Sequence, residues 1–125
     1  MAGGTGYIGS RLMPFLQKRG HQIKALVRPG SESKLPTGAI GVIDALKMDS
    51  YTEHVRGSDT FVHLIGVPRP NPAKAKQFHE VDLVSIKVAT KAACDAGVRH
   101  FVYLSVAQPA PVMKEFIAVR STGEQ

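Results

Sequence analysis

The feature that most constrains this chain is a run of glycines at its start, Ala2-Gly3-Gly4-Thr5-Gly6-Tyr7-Ile8-Gly9-Ser10, in which Gly3, Gly6 and Gly9 are spaced G-x-x-G-x-x-G. Apolar residues at helical spacing follow at once (Ile8, Leu12, Phe15, Leu16), so the run is a tight turn feeding a helix N-terminus. Backbone that must approach an anion closely, and a helix that must pack closely on a strand, do not tolerate Cβ atoms there. The first-turn N–H groups and the positive end of the helix dipole are then placed to receive a phosphate. Glycine-rich turns are common, so the meaning of this one depends on the rest of the chain.

The first helix is expected to bend at Pro14 and to stop at Gly20, after the cations Lys18 and Arg19. Residues 21–27 suit a strand leading into Arg28-Pro29-Gly30-Ser31, and residues 38–44 a short strand ending in Asp44. A short helix over 50–56, closed by Gly57, precedes the apolar run 60–66, expected to be the central strand and covered on both faces. Three prolines make the next stretch a loop, expected to wall one end of a site over residues 67–75. From about Lys74, a helical stripe of Phe78, Val81, Val84 or Ser85, Val88, Ala92 and Ala96 runs to Gly97. Residues 98–106 read as another buried strand, and a last helix begins near Val112. Strand and helix alternate throughout, which means crossover connections and a parallel sheet. Only Met1 and Ala2 precede the glycine turn, where such a fold needs a strand of about five residues, so the first strand is expected to be cut away.

At 125 residues the chain suits one small domain and is too short for two. No apolar run reaches the ~18 residues of a membrane span, and no signal peptide is present, so a cytoplasmic setting is expected. The single Cys94 excludes an internal disulfide and a cysteine metal cage; lying among alanines, it is expected to be a buried, inert thiol. His21, His54, His63, His79 and His100 are dispersed and suggest no metal set, and His63 is expected to be a packed core residue. The net charge of +6 comes from scattered Lys and Arg with few aromatics between them. That pattern suits a solvated basic surface and a site for an anionic cofactor better than it suits nucleic acid.

With these motifs in order, the chain resembles the atypical short-chain dehydrogenase/reductase family, especially its NAD-dependent epimerase-like and NmrA-like NAD(P)-binding members. Ala2-Gly3-Gly4-Thr5-Gly6-Tyr7-Ile8-Gly9 is similar to that family's fingerprint, with Ala2 where Thr is usual. Leu26-Val27-Arg28-Pro29, His63-Leu64-Ile65-Gly66 and Ala96-Gly97-Val98-Arg99-His100-Phe101-Val102-Tyr103-Leu104-Ser105 carry the likeness along essentially the whole chain. The resemblance implies an α/β fold, a Rossmann-type doubly wound parallel sheet. It also implies a single, partial NAD(P)-binding domain over 1–125, with the first strand and the C-terminal, substrate-binding part missing. Exposed apolar surface would then make the isolated chain poorly soluble or self-associating.

By the same resemblance the cofactor falls to Gly3, Thr5, Gly6, Tyr7, Ile8, Gly9, Arg28, Asp44, Ala45 and Gly66. Asp44 and Ala45 would hold the adenine edge, and Gly66 would let the backbone pass close to the nicotinamide side; Asp44 as a simple turn or helix cap is the competing reading. At the end of the second strand of such a fold, a carboxylate accepts from ribose hydroxyls, whereas the guanidinium of Arg28 offers charge and a fork of donors to a 2′-phosphate. NADP(H) is therefore favoured over NAD(H), with Ser31 and Lys34 in the same loop.

Related reductases use a Ser after the fifth strand and a Tyr-x-x-x-Lys on the next helix, the Tyr exchanging a proton and the Lys lowering its pKa and holding the ribose. Ser105 fits the serine, but the helix carries Phe116 and Arg120 in the Tyr and Lys positions. Arg120 keeps the charge on the same helical face, yet Phe116 has no hydroxyl and Arg120 does not replace a phenolic acid. Tyr103 is expected to be buried in its strand, and Tyr7 to line the diphosphate site. Ser105 and Arg120 are thus the candidate catalytic residues of a chain whose activity is open. One class of function is the cofactor domain of an oxidoreductase or nucleoside-diphosphate-sugar epimerase-like enzyme acting on a small molecule. The other is a non-catalytic NADP(H)-sensing or structural module.

Overall fold

The computed structural model describes residues 1–43, 51–66, 72–105 and 114–125. Helix α1 (Tyr7–Lys18) follows the glycine turn and runs through Pro14 without ending there. Strand β1 (Lys24–Val27) pairs in parallel with β2 (Ile40–Ile43), with Leu26 opposite Val42. After the short α2 (Thr52–Val55), strand β3 (Thr60–His63) pairs in parallel with β4 (His100–Tyr103), with Phe61 opposite Phe101.

Ala2 joins the two pairs, bridging in parallel to Leu26 on one side and to His63 on the other. Its N–H donates to the Val62 carbonyl and its own carbonyl accepts from Leu64 N–H, each at 2.9 Å, while Leu26 N–H donates to Met1. The spatial order is therefore β2, β1, Ala2, β3, β4, with successive connections moving outward in opposite directions from Ala2. The space just beyond Ala2 is a topological switch point, where loops on either side part and leave a crevice.

Alternation along the strands divides the core between two faces. Leu26, Phe61 and Ala2 pack with Tyr51, Val55, Ala89, Ala92 and Ala93, whereas Ala25 and Val27 pack with Ile23 and with Met13 of α1. Full burial of side chains such as Phe61 and Met13 contributes about 1.5–3 kcal/mol each. The first cluster continues as a ladder of rings, Tyr51 on Phe61, Phe61 on Phe101 at 5.3 Å, and His63 against Phe101 and Tyr103. On the other face β4 is less covered: Val102 is 50% exposed. Its residues alternate between exposed and half-buried, so it is not the fully buried strand expected from its apolar run.

The segment between β3 and β4 departs most from the periodic pattern. A 3₁₀ turn (Pro72–Lys74) and a single α-helical turn, α3 (Ala75–Gln77), lead into a π-helical segment (Phe78–Leu83), and only then does α4 (Val84–Asp95) begin. Asp82, Ile86, Ala89 and Ala93 keep ordinary helical spacing, so the buried face is the one beside the stripe that the apolar residues suggested. Val81 is exposed, and of the alternatives Val84 and Ser85 the first is exposed and the second half-buried; the buried residues are Asp82, Ile86, Ala89, Ala92 and Ala93. Cys94 lies beyond this stripe and is exposed, not the buried thiol expected from its alanine neighbours. Helix α5 (Lys114–Glu124) closes the described chain, with Val119 and Arg120 buried.

Candidate functional site

The glycine turn crosses the carboxyl edge of the sheet at the switch point. Gly3 has a φ of +82°, and a Cβ built on it would lie 2.7 Å from the Leu64 carbonyl carbon. A Cβ on Gly9 would lie 2.5 Å from Gly3 O and 2.6 Å from Gly4 Cα, so the first turn of α1 rests directly on the backbone of the loop. Gly6 N–H closes that loop by donating to Gly3 O at 3.2 Å. Gly6 is the N-cap residue of α1, with no side chain to cap the first amides, and no acid stands in the first turn. Bare amides at the positive end of a helix dipole, free of a repelling carboxylate, make a cradle for an anion. Arg11 adds a cation one turn in: its guanidinium lies 3.7 Å from the centre of the Tyr7 ring and donates to the Tyr7 carbonyl at 2.9 Å. Tyr7 and Ile8 are exposed and Thr5 is half-buried.

Parallel register brings further predicted residues to the same edge. Ala2 pairs with Leu26, so Arg28, two residues past Leu26, emerges level with Gly4. Arg28 is exposed and its carbonyl accepts from Ser31 N–H at 3.0 Å, in a turn that holds Gly30 at φ +81°. On the other side of the switch point, Gly66 follows His63 by three residues. Asp44, Ala45 and most of the loop expected to wall the site lie outside the described residues.

Ser105 and Arg120 meet at the carboxyl end of β4, each held by a partner that the sequence did not reveal. Arg120 forms an ion pair with Asp82 at 3.0 Å, the two side chains being 8% and 0% exposed. Arg120 also donates to Leu104 O at 2.9 Å and to the Tyr103 hydroxyl at 3.4 Å. Its guanidinium fills the place that a side chain on Gly66 would take. Ser105 donates its hydroxyl to the Glu124 carboxylate, one helical turn beyond Arg120 on α5. Phe116 lies on the same helix. Tyr103 is half-buried and packs against Gly123.

His63, fully buried beside this cluster, is the packed core histidine expected from its strand. Burial, and then the positive charge of Arg120, lower its pKa from 6.5 to about 4; backbone groups of Ser85 and His63 pull weakly the other way. Between those two values the unfolded chain holds the proton and the folded one does not, so folding stability rises with pH across that window. The contribution is complete above pH 6.5 and is lost as pH falls towards 4. Its size is about 3 kcal/mol by linkage. Urea denaturation of the wild-type and His63→Phe chains at several pH values checks this, the variant being expected to lose most of the slope.

A cleft of about 600 Å³ opens between α4, β4 and the end of α5, with Ala93, Cys94, Phe101 and Ser105 among its lining residues. No residue of the glycine turn lines it. Among the described residues there is no group of three or more His, Cys, Asp or Glu side chains able to hold a metal, and no helix long and apolar enough to cross a membrane.

The chain is similar to two curated reductases. It is 27% identical, over 108 residues, to 4-hydroxy-2-methyl-3-oxo-4-farnesyl-3,4-dihydroquinoline-1-oxide ketoreductase of Stigmatella aurantiaca, a match covering 84% of this chain and 32% of that protein. It is 26% identical, over 132 residues, to ceramide reductase of Caulobacter vibrioides, covering 99% of this chain and 39% of that protein. The chain thus spans 32% and 39% of these relatives' lengths. A crystal structure of UDP-galactose 4-epimerase superposes with a TM-score of 0.83 at 20% identity, covering 98% of this chain and 48% of that one, a likeness of fold. The family model described as NAD(P)H-binding matches residues 3–121, from the first glycine of the turn to the residue after Arg120. With a bare-amide cradle at the switch point of a parallel sheet, and a family match over nearly its whole length, the chain belongs to the NAD(P)H-binding family.

Proposed function

We propose that this chain is the cofactor domain of a reductase, taking up NADP(H) across the switch point and serving reduction of a carbonyl in a small molecule. The observation that carries the reading is the cradle at Gly3, Gly6 and Gly9, where added Cβ atoms on Gly3 and Gly9 would strike backbone and the first amides of α1 have no side-chain cap. That donor set fits a diphosphate. Both curated relatives are named as reductases, which supports the direction of the chemistry. Bound here, a nicotinamide would supply or accept hydride at the substrate carbon.

This chain's own residues bind and orient. Gly3, Thr5, Gly6, Tyr7, Ile8 and Gly9 surround the diphosphate, and Asp44 and Ala45 are assigned to the adenine edge. Arg28 takes the 2′-phosphate; Gly66 and Arg120 lie at the nicotinamide end, and Ser105 is the group placed to meet a substrate oxygen. Isothermal calorimetry with NADPH and NADH tests the reading, and uptake of neither would end it. Arg28→Ser is expected to weaken NADPH about ten- to hundredfold, the loss of a charge-assisted fork, and to leave NADH within about threefold. Equal losses for both cofactors would remove Arg28 from the 2′-phosphate.

Two observations favour a second reading, a non-catalytic NADP(H)-sensing module. Phe116 provides no phenolic proton, and the Ser105 hydroxyl is engaged by Glu124. A turnover assay with NADPH and quinone or carbonyl substrates separates the readings: binding without oxidation of the cofactor selects the module.

A further inference from the structure

Among the described residues, the buried ion pair between Asp82 and Arg120 stands out, because taking two charges out of water costs more than an ordinary contact returns unless the geometry is well satisfied. Arg120 is fixed on three sides: Asp82 at 3.0 Å, Leu104 O at 2.9 Å and the Tyr103 hydroxyl at 3.4 Å. It lies against Gly66, whose missing side chain leaves the room that the guanidinium fills. Asp82 lies within the π-helical segment Phe78–Leu83, on the buried face that continues through Ile86 and Ala89. Local insertions of this kind are frequent at functional sites. Three elements thus converge on one cation at the carboxyl edge of the sheet, on the β3 side of the switch point.

We infer that Asp82 is a positioning residue, which holds the Arg120 guanidinium across Gly66 so that it meets the nicotinamide-side ribose as a fixed donor. The inference rests on the glycine turn being the diphosphate cradle. Without Asp82 the guanidinium keeps its charge but loses the partner that sets its place, and a long flexible side chain then regains rotamer freedom that binding must remove again. If Asp82 serves the dinucleotide through Arg120, its effect on dinucleotide affinity must vanish when Arg120 is gone.

The test compares a reduced dinucleotide (NADPH or NADH, whichever the wild-type chain takes up more tightly) with ADP, which fills the glycine turn and adenosine positions but has no nicotinamide riboside. Affinities are measured by calorimetry for wild type, Asp82→Asn, Arg120→Gln and the double variant. Asp82→Asn is expected to weaken the dinucleotide about tenfold while ADP stays within about twofold. Arg120→Gln should match it, and the double variant should be no worse than Arg120→Gln. A merely structural role for Asp82 would reduce both ligands together. Should Asp82→Asn fail to fold, the double variant, which buries no uncompensated charge, decides. A dinucleotide-to-ADP ratio equal to wild type in Arg120→Gln or in the double variant overturns the inference. So does a further loss when Asp82→Asn is added to Arg120→Gln. A wild-type chain that binds ADP and dinucleotide with unchanged ratios in the variants refutes only the role of Asp82; a wild-type chain that binds neither refutes the cofactor reading as well.

Discussion

Gly9→Ala is expected to destabilise the domain by about 3 kcal/mol or more and to abolish dinucleotide binding, because the added methyl has nowhere to go. It would lie 2.5–2.6 Å from Gly3 O, Gly4 Cα and Gly4 O, all backbone atoms of the turn. Relief would require α1 to lift from the loop, and α1 carries Met13 into the cluster with Ile23, Ala25 and Val27. Gly6→Ala provides the contrast. Its Cβ would stand 3.4 Å from Gly3 O at an ordinary negative φ, so stability should fall by less than about 1 kcal/mol, the difference between the two residues at an N-cap. Binding should still weaken, since the methyl sits beside the amides that face the anion. Thermal melts and calorimetry on both variants separate the two glycines. Equal stability of Gly9→Ala and wild type would show that the helix does not rest on the turn.

The parallel α/β class was legible because glycine and proline punctuate the chain and because short apolar runs alternate with helical stripes. Each strand came out shorter than its apolar run, 60–63 within 60–66 and 100–103 within 98–106, since strand pairing ends where the backbones diverge at the carboxyl edge. The turn glycines and Arg28 lie at that edge, because parallel strands deliver all their exits to one side. The burial of Asp82 was not legible. The apolar stripe through Val81, Val84 or Ser85, and Val88 pointed to the neighbouring helix face, and a carboxylate beside that stripe reads as solvated. Asp82 was therefore missed. The one available signal was Arg120, a cation beside Ile117 and Val119 in an apolar stretch of helix, which calls for an acid without saying which of the ten Asp and Glu residues supplies it. Cys94 was misplaced for a related reason, since an alanine-rich helix shows only weakly which side is buried.

Arg120→Met is expected to cost about 3–5 kcal/mol, by removing the guanidinium that is paired with the fully buried Asp82 carboxylate. Methionine fills much of the arginine stem's volume, so little of the loss comes from packing. Adding Asp82→Leu should recover most of it: a buried ion pair replaced by apolar side chains of similar size is often as stable as the original or more so. Urea denaturation of the two single variants and the double variant reads the coupling directly. If the pair exists to place Arg120 rather than to stabilise the sheet, the double variant will melt at or above the wild-type temperature while binding the dinucleotide no better than Arg120→Gln. A double variant that remains as unstable as Arg120→Met would mean that Asp82 and Arg120 hold the fold through Tyr103, Leu104 and the π-turn independently of each other.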